Sequence, residues 1–214
     1  MNRDLATRFA QLFVGLAGVG LGVALMVDAG VGLSPWDVLH QGLSEQTGYA
    51  IGTVAIALGT VIFLTWIPLK QRIGVGTVIN VLTIGLAVNA FLNVEFAPAG
   101  VSRYVWSVVG VVIISASGGI YIGAGLGTGP RDGVMTGLVA KGYPLRTVRT
   151  LIELSVLVIG WLLGGTIGFG TVLFAVTVGP ILHFVLHKAD RGPYRRGVVA
   201  LDDHDDAFPP PAVS

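Results

Sequence analysis

The chain has 214 residues, of which 53% are hydrophobic and only 12% charged, with a mean hydropathy of +0.79. A soluble domain carries about a quarter charged residues, so most of this surface does not face water. The net charge of +1, without a basic stripe, gives no nucleic-acid partner, and the lack of cysteine excludes disulfides, thiol redox chemistry and thiolate metal sites.

Arg3 and Arg8 precede a long apolar run that reaches Asp28 with no convincing small-residue cleavage site. Residues 1–8 therefore read as a short N-terminus and roughly 9–28 as a first membrane span. Ala29-Gly30-Val31-Gly32-Leu33 then leads into Ser34-Pro35-Trp36-Asp37. A span needs about 20 apolar residues, so Ser34–Gln46 is too short to cross. Proline suits the first turn of a helix and serine the position before it, which predicts a short helix entered through an extended glycine segment. Two further spans follow, at roughly 50–69 and 74–93, then an external loop at 94–103.

The pattern then recurs. A span at 104–124 ends in Ala124-Gly125-Leu126-Gly127-Thr128, and Gly129-Pro130-Arg131-Asp132 opens a second short segment, Pro130–Lys141. The glycine cluster Gly164, Gly165, Gly168 and Gly170 divides the last apolar stretch into spans at 147–163 and 170–188. Ala29, Gly30, Gly32, Pro35, Asp37, Gly42 and Leu43 match Ala124, Gly125, Gly127, Pro130, Asp132, Gly137 and Leu138 at an offset of 95 residues. Gly74-Val75-Gly76-Thr77-Val78 matches Gly168-Phe169-Gly170-Thr171-Val172 at 94. Two separated blocks in one order predict a duplication, with repeat one at 9–93 and repeat two at 104–188.

Each unit has three crossings, an odd number, so the second copy is expected to enter the membrane inverted. Placing both termini in the cytoplasm gathers Arg3, Arg8, Lys70, Arg72, Lys141, Arg146, Arg149, Lys188, Arg191, Arg195 and Arg196 on one side, leaving Arg103 outside and Arg131 in the membrane. That satisfies the positive-inside preference. The expectation is an all-α polytopic bundle of six spans plus two short re-entrant or broken helices, in two inverted repeats of three spans each. Residues 189–214, with an acidic cluster and four prolines, read as a disordered cytoplasmic tail.

Interrupted helices at the interface of inverted repeats are where secondary transporters place their substrate sites. The candidate substrate-binding residues are Gly30, Gly32, Trp36 and Asp37 from the first repeat, and Gly125, Gly127, Arg131, Asp132, Arg149 and Glu153 from the second. Asp37 and Asp132 suit cation or proton coupling; the competing role is helix capping. Arg149 and Glu153 lie four apart on one helix face at a depth where ionisable groups are costly and usually functional. Arg131 with Arg149 suits a carboxylate or phosphate; the competing role is an ion pair of Glu153 with Arg149 or Arg131. His40 and Gln41 are weaker pocket candidates, and Asn80 and Asn89 are expected to make interhelical hydrogen bonds. His183 and His187 lack a third ligand, and no catalytic constellation or cofactor motif is present, so neither metal, cofactor nor enzyme is expected.

Gly125-Leu126-Gly127-Thr128-Gly129-Pro130-Arg131-Asp132-Gly133, followed by Arg149, Glu153 and Gly164 to Thr171, resembles the YczE-like branch of the bacterial YczE/YyaS/YitT membrane proteins. Ser34-Pro35-Trp36-Asp37 is similar to that family's first repeat. The resemblance covers roughly residues 8–188. It implies a bacterial plasma (inner) membrane location and carries no mechanism. The expected function is a secondary transporter or exporter of a small, anionic solute. The alternatives are a non-transporting scaffold or regulator, or a passive channel, and the glycine faces Gly18/Gly22 and Gly119/Gly123 leave a homo-oligomer open.

Overall fold

The computed structural model describes residues 3–69, 71, 74–94, 96, 99–127 and 129–190. Among these, all regular structure is helical: α1 (Arg3–Ala29), α2 (Pro35–Thr47), α3 (Ile51–Trp66), α4 (Val75–Leu92), α5 (Ser102–Gly123), α6 (Pro130–Val139), α7 (Leu145–Leu162) and α8 (Phe169–Ala189). The order long, short, long, long thus occurs twice, as the repeated motifs predict. The expected tail lies, beyond Asp190, outside the described residues.

Helices α1, α4, α5 and α8 are each long and apolar enough to cross a membrane, and α2 with α3 passes as a pair bent by 110°. Thus four or five spans meet the length and composition test. Helix α3 has 16 residues, about 24 Å at 1.5 Å per residue. Helix α7 carries Arg146, Arg149 and Glu153 in its first half. Those two helices separate four or five spans from the expected six.

The centre of the bundle is the antiparallel pair α1 and α5. A Cβ built on Gly15 would stand 2.7 Å from the backbone N of Tyr121, and one on Gly110 would stand 2.8 Å from the carbonyl O of Gly22. Only glycine lets two backbones approach this closely. The Gly18/Gly22 and Gly119/Gly123 faces pack within the chain, against α5 and α8 respectively. Helix α4 packs on α1, α8 on α5 and α3 on α4, while the short helices cross over, α2 onto α7 and α6 onto α3. Met26, Val38, Val88 and Val111 form the buried apolar core among them.

The two crossings solve one packing problem in opposite ways. Gly133 of α6 receives the ring of Trp66 from α3, whose Nε1 donates to Pro130 O at 3.0 Å. At the corresponding point, Gly160 of α7 lies against Val38 and Leu39 of α2. Trp66 and Gly160 are 94 apart in sequence, Val38 and Gly133 are 95 apart, so the bulky and the small partner have changed places. One step along, Gly42 meets Leu163 and Gly137 meets Leu69. The helix ends match too: Gln71 N donates to Trp66 O at 3.0 Å, and Gly165 N to Gly160 O at 2.8 Å.

Candidate functional site

The entry to each short helix is built from backbone. Gly30 (φ 60°), Gly32 (φ 115°), Gly125 (φ 62°) and Gly127 (φ 143°) all occupy the left-handed region that glycine alone adopts cheaply. They turn the chain from the end of a long helix back into the bundle. The carbonyls freed at those helix ends are taken by arginines from the opposite half. Arg103 donates to Ala29 O at 2.6 Å and Gly30 O at 2.9 Å. Arg8 donates to Ala124 O and Gly125 O, both at 2.7 Å. A cation at a helix C-terminus also meets the negative end of the dipole. Gly32 packs on Thr171 and Gly127 on Thr77.

With their entries fixed, α2 and α6 begin in the interior. Ser34 precedes Pro35, its hydroxyl accepting from Asp37 N at 3.3 Å. In α6, Gly129 precedes Pro130, and Asp132 Oδ2 accepts from Gly129 N at 3.1 Å. Asp132 is therefore a helix cap in the expected sense. Asp37 is not: its carboxylate accepts from the Ser34 hydroxyl and lies 3.3 Å from His40 Nδ1, and both Asp37 and His40 are buried.

These two starting turns face a cavity of about 330 Å³ to which all eight helices contribute. Trp36, Asp37, Arg131, Asp132, Arg149 and Glu153 all line it. Gly30, Gly32, Gly125 and Gly127 do not; they shape the segments behind the wall. Trp36 and Arg131, which occupy the same position in the two repeats, touch each other, the guanidinium carbon standing 4.9 Å from the ring centroid. Such stacking is worth about 0.5–2 kcal/mol and does not itself use the N–H donors. No described residue accepts a hydrogen bond from the Arg131 guanidinium.

Arg149 Nε bonds Glu153 Oε1 at 2.9 Å, so of the two ion pairs the sequence allows, the one within α7 forms. The lining thus holds two arginines against the carboxylates of Asp37, Asp132 and Glu153, a surplus of one negative charge with His40 neutral.

Three lining residues fall outside the sequence-derived candidates or rank low among them. His40 pairs with Asp37. Tyr121 comes from α5. Asn80 of α4 is 5% exposed, stands beside Tyr121, and its Nδ2 has no hydrogen-bond acceptor among the described residues. Asn89, by contrast, makes the expected interhelical bonds, accepting from Gly52 N at 2.8 Å and donating to Thr53 Oγ1 at 3.1 Å. The available signal for Asn80 was an amide in an otherwise apolar span.

A family described as a family of unknown function (DUF6198) matches residues 6–187. A Haemophilus influenzae "Uncharacterized protein" is 36% identical over 185 residues, covering 86% of this chain and 85% of its own. The Bacillus subtilis "Uncharacterized membrane protein YczE" is 35% identical over 196 residues, covering 88% and 90%. The Bacillus subtilis "Uncharacterized protein YyaS" is 26% identical over 187 residues, covering 83% and 92%. No solved structure matches. Together with its apolar helices, this makes the chain a multi-pass integral membrane protein that belongs to the DUF6198 family, alongside YczE.

Proposed function

We propose that the protein is a secondary transporter or exporter of a small anionic solute, bound where two inverted halves meet. In this reading α1, α3, α4, α5, α7 and α8 all cross the bacterial plasma membrane, and both termini are cytoplasmic. Several pairs of contacts support the inversion, because each repeats with the halves exchanged: Arg8 on Gly125 and Arg103 on Gly30, Gly127 on Thr77 and Gly32 on Thr171, Gly137 on Leu69 and Gly42 on Leu163. The antiparallel run of α1 and α5 supports it too. Gln11 Nε2 donates to Ala189 O at 2.7 Å, which puts the start of α1 and the end of α8 at one end of the bundle.

The observation that carries the reading is Arg131. Its guanidinium lines the cavity, stacked on Trp36 at 4.9 Å, with its forked donors free to take a carboxylate or phosphate. The turns that open α2 and α6 add free amides and partial positive charge. An arriving anion deepens the negative surplus, so its binding draws in a proton, for which the Asp37–His40 couple is the buried acceptor. We read the chain as a carrier with no catalytic role.

The test is flux and ligand-induced thermal stabilisation with a panel of small carboxylates and inorganic phosphate in purified protein and proteoliposomes. Saturable, proton-coupled uptake that Arg131→Gln abolishes is expected; unsaturable flux would mean a channel. If Arg131→Gln and Asp132→Asn fold normally and change neither binding nor flux, the site is wrong. Reporter tags at Gln71 and Gly142 should face the same side of the membrane; opposite sides would remove the inverted topology.

A further inference from the structure

The second half of the bundle is open where the first is closed. Helix α3 packs along α4, whereas α7 does not pack along α8. The cause is visible residue by residue. A Cβ on Gly52 would overlap the carbonyl O of Gly85, one on Gly59 would stand 2.9 Å from Val81, and one on Gly85 would stand 2.5 Å from Gly52 O. At the corresponding positions, 94 residues on, the chain carries Arg146, Glu153 and Gly179. Arginine and glutamate forbid the close approach that glycine allows. Gly179, the one glycine kept, has nothing within 4 Å of its Cβ position.

This gap runs into the cavity. Glu153 and Arg149 of α7 stand on one side of it, Phe174, Val178 and Leu182 of α8 on the other, and all five line the cavity. The Arg149 and Glu153 side chains are 53% and 35% exposed, so the pair stands in the opening. Its inner end is polar: the Arg131 guanidinium and the buried Nδ2 of Asn80, neither with a hydrogen-bond acceptor among the described residues. Across from the Arg149–Glu153 pair, the wall is the apolar row Phe174, Val178 and Leu182. A molecule with an anionic head and an alkyl chain matches a passage with a polar inner end and one apolar wall.

We infer that the α7/α8 gap is a lateral doorway from the bilayer into the cavity, and that the ligand is a membrane amphiphile with a carboxylate or phosphate head, held by Arg131 and Asn80 while its chain lies along Phe174, Val178 and Leu182. The inference rests on the anion site proposed above and adds the source and route of the anion. It also gives the Arg149–Glu153 pair a task, letting a charged head pass the threshold between two ionised partners instead of bare hydrocarbon.

The experiment is photolabelling of the reconstituted full chain with palmitate carrying a diazirine in its chain, with adducts mapped by mass spectrometry. Saturable labelling is expected at Phe174, Val178, Leu182 and Glu153, displaced by unlabelled palmitate and not by acetate or inorganic phosphate. Val172, Val176 and Phe184, exposed on α8, report the non-saturable lipid background. Gly179→Trp, placed in open space, should keep the melting temperature and cut labelling of the inner residues by about tenfold, or ~1.4 kcal/mol of apparent affinity. Inner labelling that is unsaturable, or indifferent to Gly179→Trp in a folded protein, overturns the doorway. So does a Gly179→Cys variant that forms disulfide-linked dimers in membranes without inner labelling, since a second copy then fills the gap. If acetate or phosphate stabilises the protein and Arg131→Gln abolishes this while palmitate never labels the interior, only the lateral route falls. If none of the three ligands binds, the anion site falls with it.

Discussion

In the first half, Gly52, Gly59 and Gly85 lock α3 to α4, and Asn89 bonds across to Gly52 and Thr53. In the second half, Arg146, Glu153, Gly179 and His183 occupy those places and α7 stands away from α8. The arginines that hold each other's helix ends are alike in the two halves. The difference teaches that close backbone approach is kept only while both glycines are: with Arg146 in the place of Gly52, one interface has been exchanged for charge and space.

The largest effect that sharpens this comparison is expected at the crossings. Trp66→Ala empties the slot against Gly133 and removes the bond to Pro130, and should cost about 3–5 kcal/mol in reversible unfolding in detergent. Its counterpart Gly160 has no ring to lose, so the two crossings should fail by opposite changes: removal of bulk at Trp66, addition of it at Gly160. The next effect separates the two long-helix pairs. Gly85→Leu drives a side chain into Gly52 and should lose about 3 kcal/mol. The matching Gly179→Leu should stay within about 0.5 kcal/mol. Equal losses at the two sites would erase the contrast between closed and open interfaces.

Arg8→Gln and Arg103→Gln each remove two charge-assisted bonds to carbonyls, with an expected loss of about 2 kcal/mol apiece. The prediction concerns parity: unfolding free energies that differ by much more than about 1 kcal/mol would break the equivalence of the two clasps. The smallest effect on stability belongs to Arg149→Gln, within about 1 kcal/mol for a pair this open to its surroundings. Its signature should appear in binding or flux instead.

All eight helices were legible in the sequence, because charges bound the apolar runs and Gly-x-Gly-x-x-Pro-x-Asp marks each break. Trp36, Asp37, Arg131, Asp132, Arg149 and Glu153 were legible as cavity residues for the same reason: they are polar groups placed where only apolar ones come without cost. The clasps were not read, although Arg8 and Arg103 are themselves 95 apart; counted as loop charges, they served only to orient the chain. Asn80 and Tyr121 were missed because their place depends on how α4 and α5 are rotated, which no single-helix pattern records. The span count stays at four or five by length and composition because α3 is short and α7 is charged.

Trp36 and Arg131 meet where the two short helices begin. A self-associating half-chain has no liberty there, since it must set like against like. Two arginines would repel in a medium that screens poorly, and two tryptophans would bring no charge at all. Holding both halves in one polypeptide lifts that constraint: one side supplies the cation and the other the aromatic surface that steadies it. The centre of the molecule is thus the place where symmetry had to be broken for a charge to be kept inside lipid.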